Sequence, residues 1–134
     1  GDEIQIGDHV WKVSMGYGHA PEHATLYCAD LRIFISGDMV LPRISTNVSV
    51  YDADPDADPL GLYLDSLDQW KVLPENTFVL PSHGKPFQGL HFRIAQLHEH
   101  HRARLAETLE ACQSPKHAFE IIPDNSADLF CFSK

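Results

Sequence analysis

Residues 16–38 read GYGHAPEHATLYCADLRIFISGD. The stretch sets His19 and His23 around a turn containing Gly18 and Pro21, runs through two apolar segments, and stops on Gly37-Asp38. Those segments, His23 to Ala29 and Arg32 to Ile35, are short and carry β-branched and aromatic side chains, which predicts two strands joined across Ala29-Asp30-Leu31. A hairpin returns both its ends to one side of a sheet. His19 and Asp38, which bracket it, are thereby candidates for one site.

Working outward, DEIQIGDHVWKVSM gives two alternating segments, Glu3 to Ile6 and His9 to Met15, around Gly7-Asp8, and predicts a second hairpin. On the other side the alternation stops. Residues 39–59 contain Pro42, Pro55 and Pro59 with several aspartates and read as a long surface loop, a type that often shapes a binding pocket. Asp58 then suits an N-cap with Pro59 in the first turn of a helix whose apolar stripe is Leu60, Leu64, Leu67 and Trp70 and which Pro74 ends. Thr77 to Leu80 predicts a strand that runs into a turn holding His83, Gly84 and Pro86. A long helix follows from about Leu90 to Cys112, with Leu90, Ile94, Leu97, His101, Leu105 and Leu109 on its core face. Ser114-Pro115 opens one more short helix, Lys116 to Ile122. This order predicts an α/β fold, an antiparallel or mixed sheet covered by helices.

Composition narrows the function classes. The 134 residues fit one domain, and 10 Lys and Arg against 19 Asp and Glu give a net charge of -9. That balance argues against a nucleic-acid backbone or an anionic membrane surface as partner. No apolar run approaches the roughly 20 residues of a membrane span, and the first residues lack a signal-peptide pattern. Cys28, Cys112 and Cys131 fit neither a disulfide framework nor a thiolate metal knuckle, so a reducing, cytoplasmic setting is expected. The N-terminal Gly1 is expected to be a remnant of a cut or of cloning, since a natural chain starts with Met.

Three strand ends share one design. A strand stops, a small or rigid residue turns the chain, and a metal-ligating side chain follows: Gly18-His19, Gly37-Asp38 and Ser82-His83-Gly84. Two imidazoles and a carboxylate suit Zn²⁺, with Fe or Mn also served by that set. The competing reading makes His19 and His83 polar turn residues and Asp38 an Asx cap. His23 reads as structural. His91 borders the entry to the long helix and could line a cleft. In HEHH, residues 98–101, His101 falls on the apolar stripe and His98 and His100 towards solvent, so that run reads as non-ligating. Asp52, Asp54, Asp56 and Asp58 alternate like a calcium loop but lack its glycine and closing glutamate, which leaves a solvated loop. No Ser-His-Asp arrangement is visible.

GYGHAPEH, ISGDMVLPRIS and VLPSHGKPFQGLHFRI resemble, in that order, the Gly-His turn, the Gly-Asp segment and the closing Gly-His-Gly segment of the metallo-β-lactamase-fold hydrolase superfamily, in particular its glyoxalase-II-like branch. The resemblance covers about residues 1–112. It implies half of an αββα sandwich, with His19 as a histidine ligand of a first zinc, Asp38 bridging two zinc ions as the catalytic carboxylate, and His83 on the second. Ser82 stands where the family usually has glycine, and Tyr17 where proline is frequent. The family's leading His-x-His-x-Asp-His run occurs nowhere in this sequence. The resemblance therefore implies the C-terminal half of a metallohydrolase domain, followed at 113–134 by the start of a small winged-helix-like region. The expected partner of the bare sheet face is the missing N-terminal half or a swapped homodimer. The implied activity is hydrolysis of a thioester or other small ester by a dinuclear-zinc-bound hydroxide in the full-length parent, the chain alone being inactive. The alternative is a non-catalytic binding or assembly module whose His and Asp at strand ends are structural. A nucleic-acid-processing member of the same fold is disfavoured by the charge.

Overall fold

The computed structural model describes residues 1–117 and 120–121. Alternating segments form strands β1 (Glu3–Ile6) and β2 (His9–Gly16), paired antiparallel with Ile6 opposite His9. The opening stretch forms β3 (His23–Cys28) and β4 (Ile33–Gly37), also antiparallel, with β3 against β2. Arg32, expected in the strand, instead turns the chain with a left-handed φ of 53°. Strand β5 (Phe78–Pro81) adds parallel to β4, which gives the spatial order β1-β2-β3-β4-β5. The connection from β4 to β5 runs through the long loop and helix α1 (Pro59–Gln69), because a parallel neighbour needs a crossover. Helix α2 (Leu90–Ala111) closes the described fold. It is the expected α/β arrangement: a mixed sheet with helices on one face.

The register separates the two faces. Tyr27, Phe34 and Val79 stand side by side and face the helices, where Phe34 and Val79 join Met39, Val40, Tyr63, Leu67, Trp70, Leu90, Ile94 and Leu97 in one buried core. At about 1.5 to 3 kcal/mol for each large apolar side chain taken out of water, this cluster dominates the favourable side of folding. The next row, Val13, Leu26, Ile35 and Leu80, points the other way, and each of these four aliphatic side chains is only half-buried. The outer edge of β5 is closed by Phe87, which exchanges both backbone hydrogen bonds with Val79 at 2.8 and 3.1 Å.

Capping follows the sequence closely at α1: the Asp58 carboxylate accepts from the Gly61 amide at 2.8 Å and Pro59 occupies the first turn. Its buried face, however, is Tyr63, Ser66 and Leu67, with Leu60 and Leu64 half-buried. Ser66 and Trp70 are spent on docking to β2 and its end, the Ser66 hydroxyl accepting from the Tyr17 amide at 2.8 Å and the Trp70 indole donating to the Ser14 hydroxyl at 3.0 Å. The loop begins inside the protein, with Met39, Val40 and Leu41 buried, and only afterwards becomes the expected surface segment.

Helix α2 departs most from expectation. Leu105 and Leu109, predicted on the core face, are 54% and 70% exposed, whereas Arg93 is buried at 3%. A 22-residue helix is about 33 Å long, and its buried residues, Leu90, Arg93, Ile94 and Leu97, all fall in its first half, so the apolar spacing runs on past the surface that buries it. Arg93 is buried because it staples the loop: its Nε donates to the Leu41 carbonyl at 2.6 Å and an Nη to the Ile44 carbonyl at 2.8 Å. The expected helix Lys116 to Ile122 lies partly, and the rest of 113–134 with Cys131 almost wholly, outside the described residues. Among the described residues no helix is long and apolar enough to cross a membrane.

Candidate metal centre

Topology brings the three expected residues together. β3 begins, and β4 and β5 end, at the same edge of the sheet, so the turn before β3 and the turns after β4 and β5 meet there. His19, Asp38 and His83 sit in those turns. The His19 Nε2 lies 3.6 Å from Asp38 Oδ2, and the His83 Nε2 lies 3.4 Å from Asp38 Oδ1. The two imidazoles thus address different oxygens of one carboxylate.

Two glycines make this approach sterically feasible. Gly18 has a φ of +92°, and a Cβ there would lie 2.2 Å from the Pro59 carbonyl oxygen, so only glycine lets the His19 turn pass against the start of α1. Gly37 has a φ of +56°, and a Cβ there would lie 2.1 Å from Nε2 of His23. Backbone with positive φ is costly for any residue with a Cβ. His23 therefore fills the space beside Gly37, with its ring 5.7 Å from that of His19. Burial lowers the His23 pKa below the usual histidine value, His19 adds to this, and Asp38 opposes it. His23, expected to be structural, packs against Gly37 and at the same time stands beside His19 and Asp38.

Neighbouring polar groups fix the orientation of the set. The His19 Nδ1 lies 2.9 Å from the Asn47 carbonyl, which can only accept, so Nδ1 carries a proton and Nε2 is the nitrogen left facing Asp38. The Ser82 hydroxyl donates to Asp38 Oδ1, and the Thr46 hydroxyl donates to the Asp38 backbone carbonyl. A pair of imidazole nitrogens turned towards a shared carboxylate is a donor set that fits a borderline metal ion, and the carbonyl behind His19 is the support such a ligand needs. The set is partial. Among the described residues no group of three or more His, Cys, Asp or Glu is arranged to hold a metal ion alone.

These residues open onto a cavity of about 650 Å³, within the range of small-ligand pockets. Loop residues from Ile44 to Val50 form one wall, which realises the expected role of the long loop. Helix α2 forms another wall, through His100, His101, Arg104 and Thr108. The sequence pointed away from HEHH, yet His100 and His101 border the same cavity as His19, Asp38 and His83. His98 instead meets Asp68 at 2.8 Å, and His91 meets the Leu73 carbonyl at 2.8 Å, so both hold helices together rather than line the cavity. Asp52, Asp54 and Asp56 are exposed, as expected of a solvated loop.

The profile of the Metallo-beta-lactamase superfamily matches residues 1–83. A beta-lactamase domain protein from Burkholderia ambifaria matches 92% of the chain at 56% identity, with a TM-score of 0.87. This chain belongs to the metallo-beta-lactamase superfamily. A second superfamily structure, a metallo-beta-lactamase family protein from Thermus thermophilus, matches 90% of the chain at 30% identity with a TM-score of 0.81. The BLEG-1 B3 metallo-beta-lactamase, at 24% identity over 66% of the chain and a TM-score of 0.53, shares the fold. The chain spans only 38% of the Burkholderia protein and 40% of the Thermus protein. No curated protein matches it.

Proposed function

We propose that this chain is the C-terminal half of a glyoxalase-II-like metallohydrolase domain, in which His19, Asp38 and His83 are metal ligands and Asp38 is the bridging, catalytic carboxylate. The convergence of His19 and His83 on opposite oxygens of Asp38, at the mouth of the cavity, is the observation that carries this reading. Two zinc ions are the proposed cofactor, with iron or manganese served by the same donors. When bound, such a pair supplies a nucleophilic water at neutral pH and polarises the oxygen of the group attacked. The chain's own residues hold that centre in place: Asn47 sets the tautomer of His19, Ser82 and Thr46 fix Asp38, and loop residues between Ile44 and Val50 form a wall of the cavity beside it. The proposed substrate is a thioester or another small ester.

The partial donor set supports a need for further ligands from outside the chain. The half-buried row Val13, Leu26, Ile35 and Leu80 supports a second layer packing on that face, either the N-terminal half or a swapped copy. We assign residues 113–134 to a following winged-helix-like region on sequence resemblance alone. The deciding experiment is Asp38→Ala in the intact protein, with metal content by elemental analysis and hydrolysis of a panel of thioesters. Loss of one metal per chain and of hydrolysis is expected; two metals and unchanged rates would overturn the assignment and favour the binding or assembly module.

A further inference from the structure

The long loop holds aliphatic side chains where a solvated segment has no use for them. It is pinned at three closely spaced points: the Ile44 carbonyl accepts from Arg93 at 2.8 Å, the Thr46 hydroxyl donates to the Asp38 carbonyl, and the Asn47 carbonyl lies 2.9 Å from His19 Nδ1. Around those anchors Ile44 and Val50 stay 40% and 55% exposed, while Val48 is partly buried against the core. All three line the cavity that His19, Asp38 and His83 border, and Ala57, Pro59 and Leu60 line it from the start of α1. The acidic, solvated part of the loop is elsewhere, at the exposed Asp52, Asp54 and Asp56. Reachable aliphatic side chains gathered on one concavity, with a few polar groups beside them, are the make-up of a ligand pocket.

We propose that Ile44, Val48 and Val50 receive the acyl group of the substrate, and that this group is an uncharged, straight-chain aliphatic one rather than one ending in a carboxylate or phosphate. The proposal rests on the hydrolase reading for the reaction, and on the cavity alone for the binding. Charge decides against an anionic acyl group. The cavity carries the Asp38 and Asp58 carboxylates, and Arg104, the one guanidinium or ammonium among its described lining residues, is paired with Glu107 at 2.7 Å. An anionic terminus packed on the loop wall loses its hydration and finds no unpaired cation of that kind, whereas methylene groups gain by leaving water there. The volume of about 650 Å³ is more than an acetyl group needs. All the walls belong to this chain. The bare row Val13, Leu26, Ile35 and Leu80 lies on the sheet face that the helices leave uncovered, so a second layer packs away from the cavity. A wall already pinned by Arg93, Asp38 and His19 also loses little freedom when a chain packs on it. In the reaction the oxygen of water bonds to the acyl carbon, the carbon–sulfur bond breaks, the sulfur leaves as a thiol with one proton, and the fatty acid leaves as its carboxylate.

The test has two arms on the intact protein. The first follows the methyl resonances of Ile44, Val48 and Val50 while hexanamide is added; a saturable shift is expected, and acetamide, which lacks the chain, should need a far higher concentration to produce it. The second compares kcat/KM for acetyl, butyryl, hexanoyl and adipoyl thioesters of one thiol. The value should rise about two- to fourfold for each added methylene that reaches the wall. Adipoyl, equal in length to hexanoyl but ending in a carboxylate, should fall about tenfold or more below it. Val50→Asp, a change at an exposed position, should cut the hexanoyl-to-acetyl ratio about tenfold. A flat series, a preference for adipoyl, a ratio unchanged in Val50→Asp, or no shift with hexanamide because the rest of the protein already covers the wall, overturns the inference. A saturable hexanamide shift in a protein that hydrolyses none of the four thioesters leaves the apolar site standing and rejects the hydrolase reading instead.

Discussion

Replacing Gly37 by alanine tests how the backbone aims Asp38. The residue has a φ of +56°, and its new Cβ would lie 2.1 Å from His23 Nε2. A left-handed conformation costs an L-residue about 1 to 2 kcal/mol. The overlap is with the far end of a side chain, so it is relieved by turning the His23 ring away from its preferred rotamer, at about 0.5 to 1.5 kcal/mol. Gly37→Ala should therefore destabilise the chain by about 1.5 to 3.5 kcal/mol in urea denaturation. The two parts are separable. In the double variant Gly37→Ala/His23→Ala the steric part disappears and the backbone part stays, which predicts a coupling energy of about 0.5 to 1.5 kcal/mol between the positions. Swinging the His23 ring also disturbs His19, 5.7 Å away, so Gly37→Ala should weaken metal binding in the intact protein more than its stability loss alone accounts for. Additive single effects, with metal affinity untouched, would refute the account of His23 as the side chain that fills the space beside Gly37.

Further expectations concern other parts of the molecule. Arg93→Met should cost about 3 kcal/mol or more, since it leaves the Leu41 and Ile44 carbonyls without their charged donor, and limited proteolysis should then cut the loop faster. The His101 imidazole is neutral in the fold down to about pH 4 but takes up a proton near 6.5 when unfolded. Its contribution is full above 6.5 and is lost as pH falls from 6.5 towards 4, because the unfolded chain there binds a proton that the fold does not. His101→Phe should flatten that part of a stability-versus-pH profile; an unchanged slope would show that another group causes it. Ile35→Lys should cost the chain little, because the side chain is half in solvent, and should prevent assembly of the intact domain, visible as a loss of soluble, metal-loaded protein.

Local signals carried the strands and the candidate ligands. Alternation and turn dipeptides mark β1 to β4, and the sequence Gly37-Asp38 at the end of an apolar strand marks a side chain held at a sheet edge. Asp58-Pro59 is equally plain, because a cap acts within one turn of its own position. What stayed hidden depends on partners distant in sequence. Arg93 looks like any charged residue on a helix until the loop folds over it and offers two carbonyls 49 and 52 positions away. Leu105 and Leu109 continue an apolar spacing past the last buried residues of the helix, and nothing local encodes where the burying surface stops. His100, His101 and Arg104 were missed for the related reason that a helix period gives the face but not what lies opposite. The run of His101 and Arg104 directly after Leu97 on that face, apolar giving way to polar, was the available clue.

The closure of β5 by Phe87 has a consequence for how the sheet can grow. Val79 has both backbone groups engaged there and Pro81 has no N–H to offer, so a further strand finds nothing to pair with on that side. At the opposite margin β1 has no neighbour beyond it among the described residues, and all four of its residues are exposed. Growth of this sheet is one-directional: any strand that extends it, whether from the same polypeptide or from another, must be added alongside Glu3–Ile6.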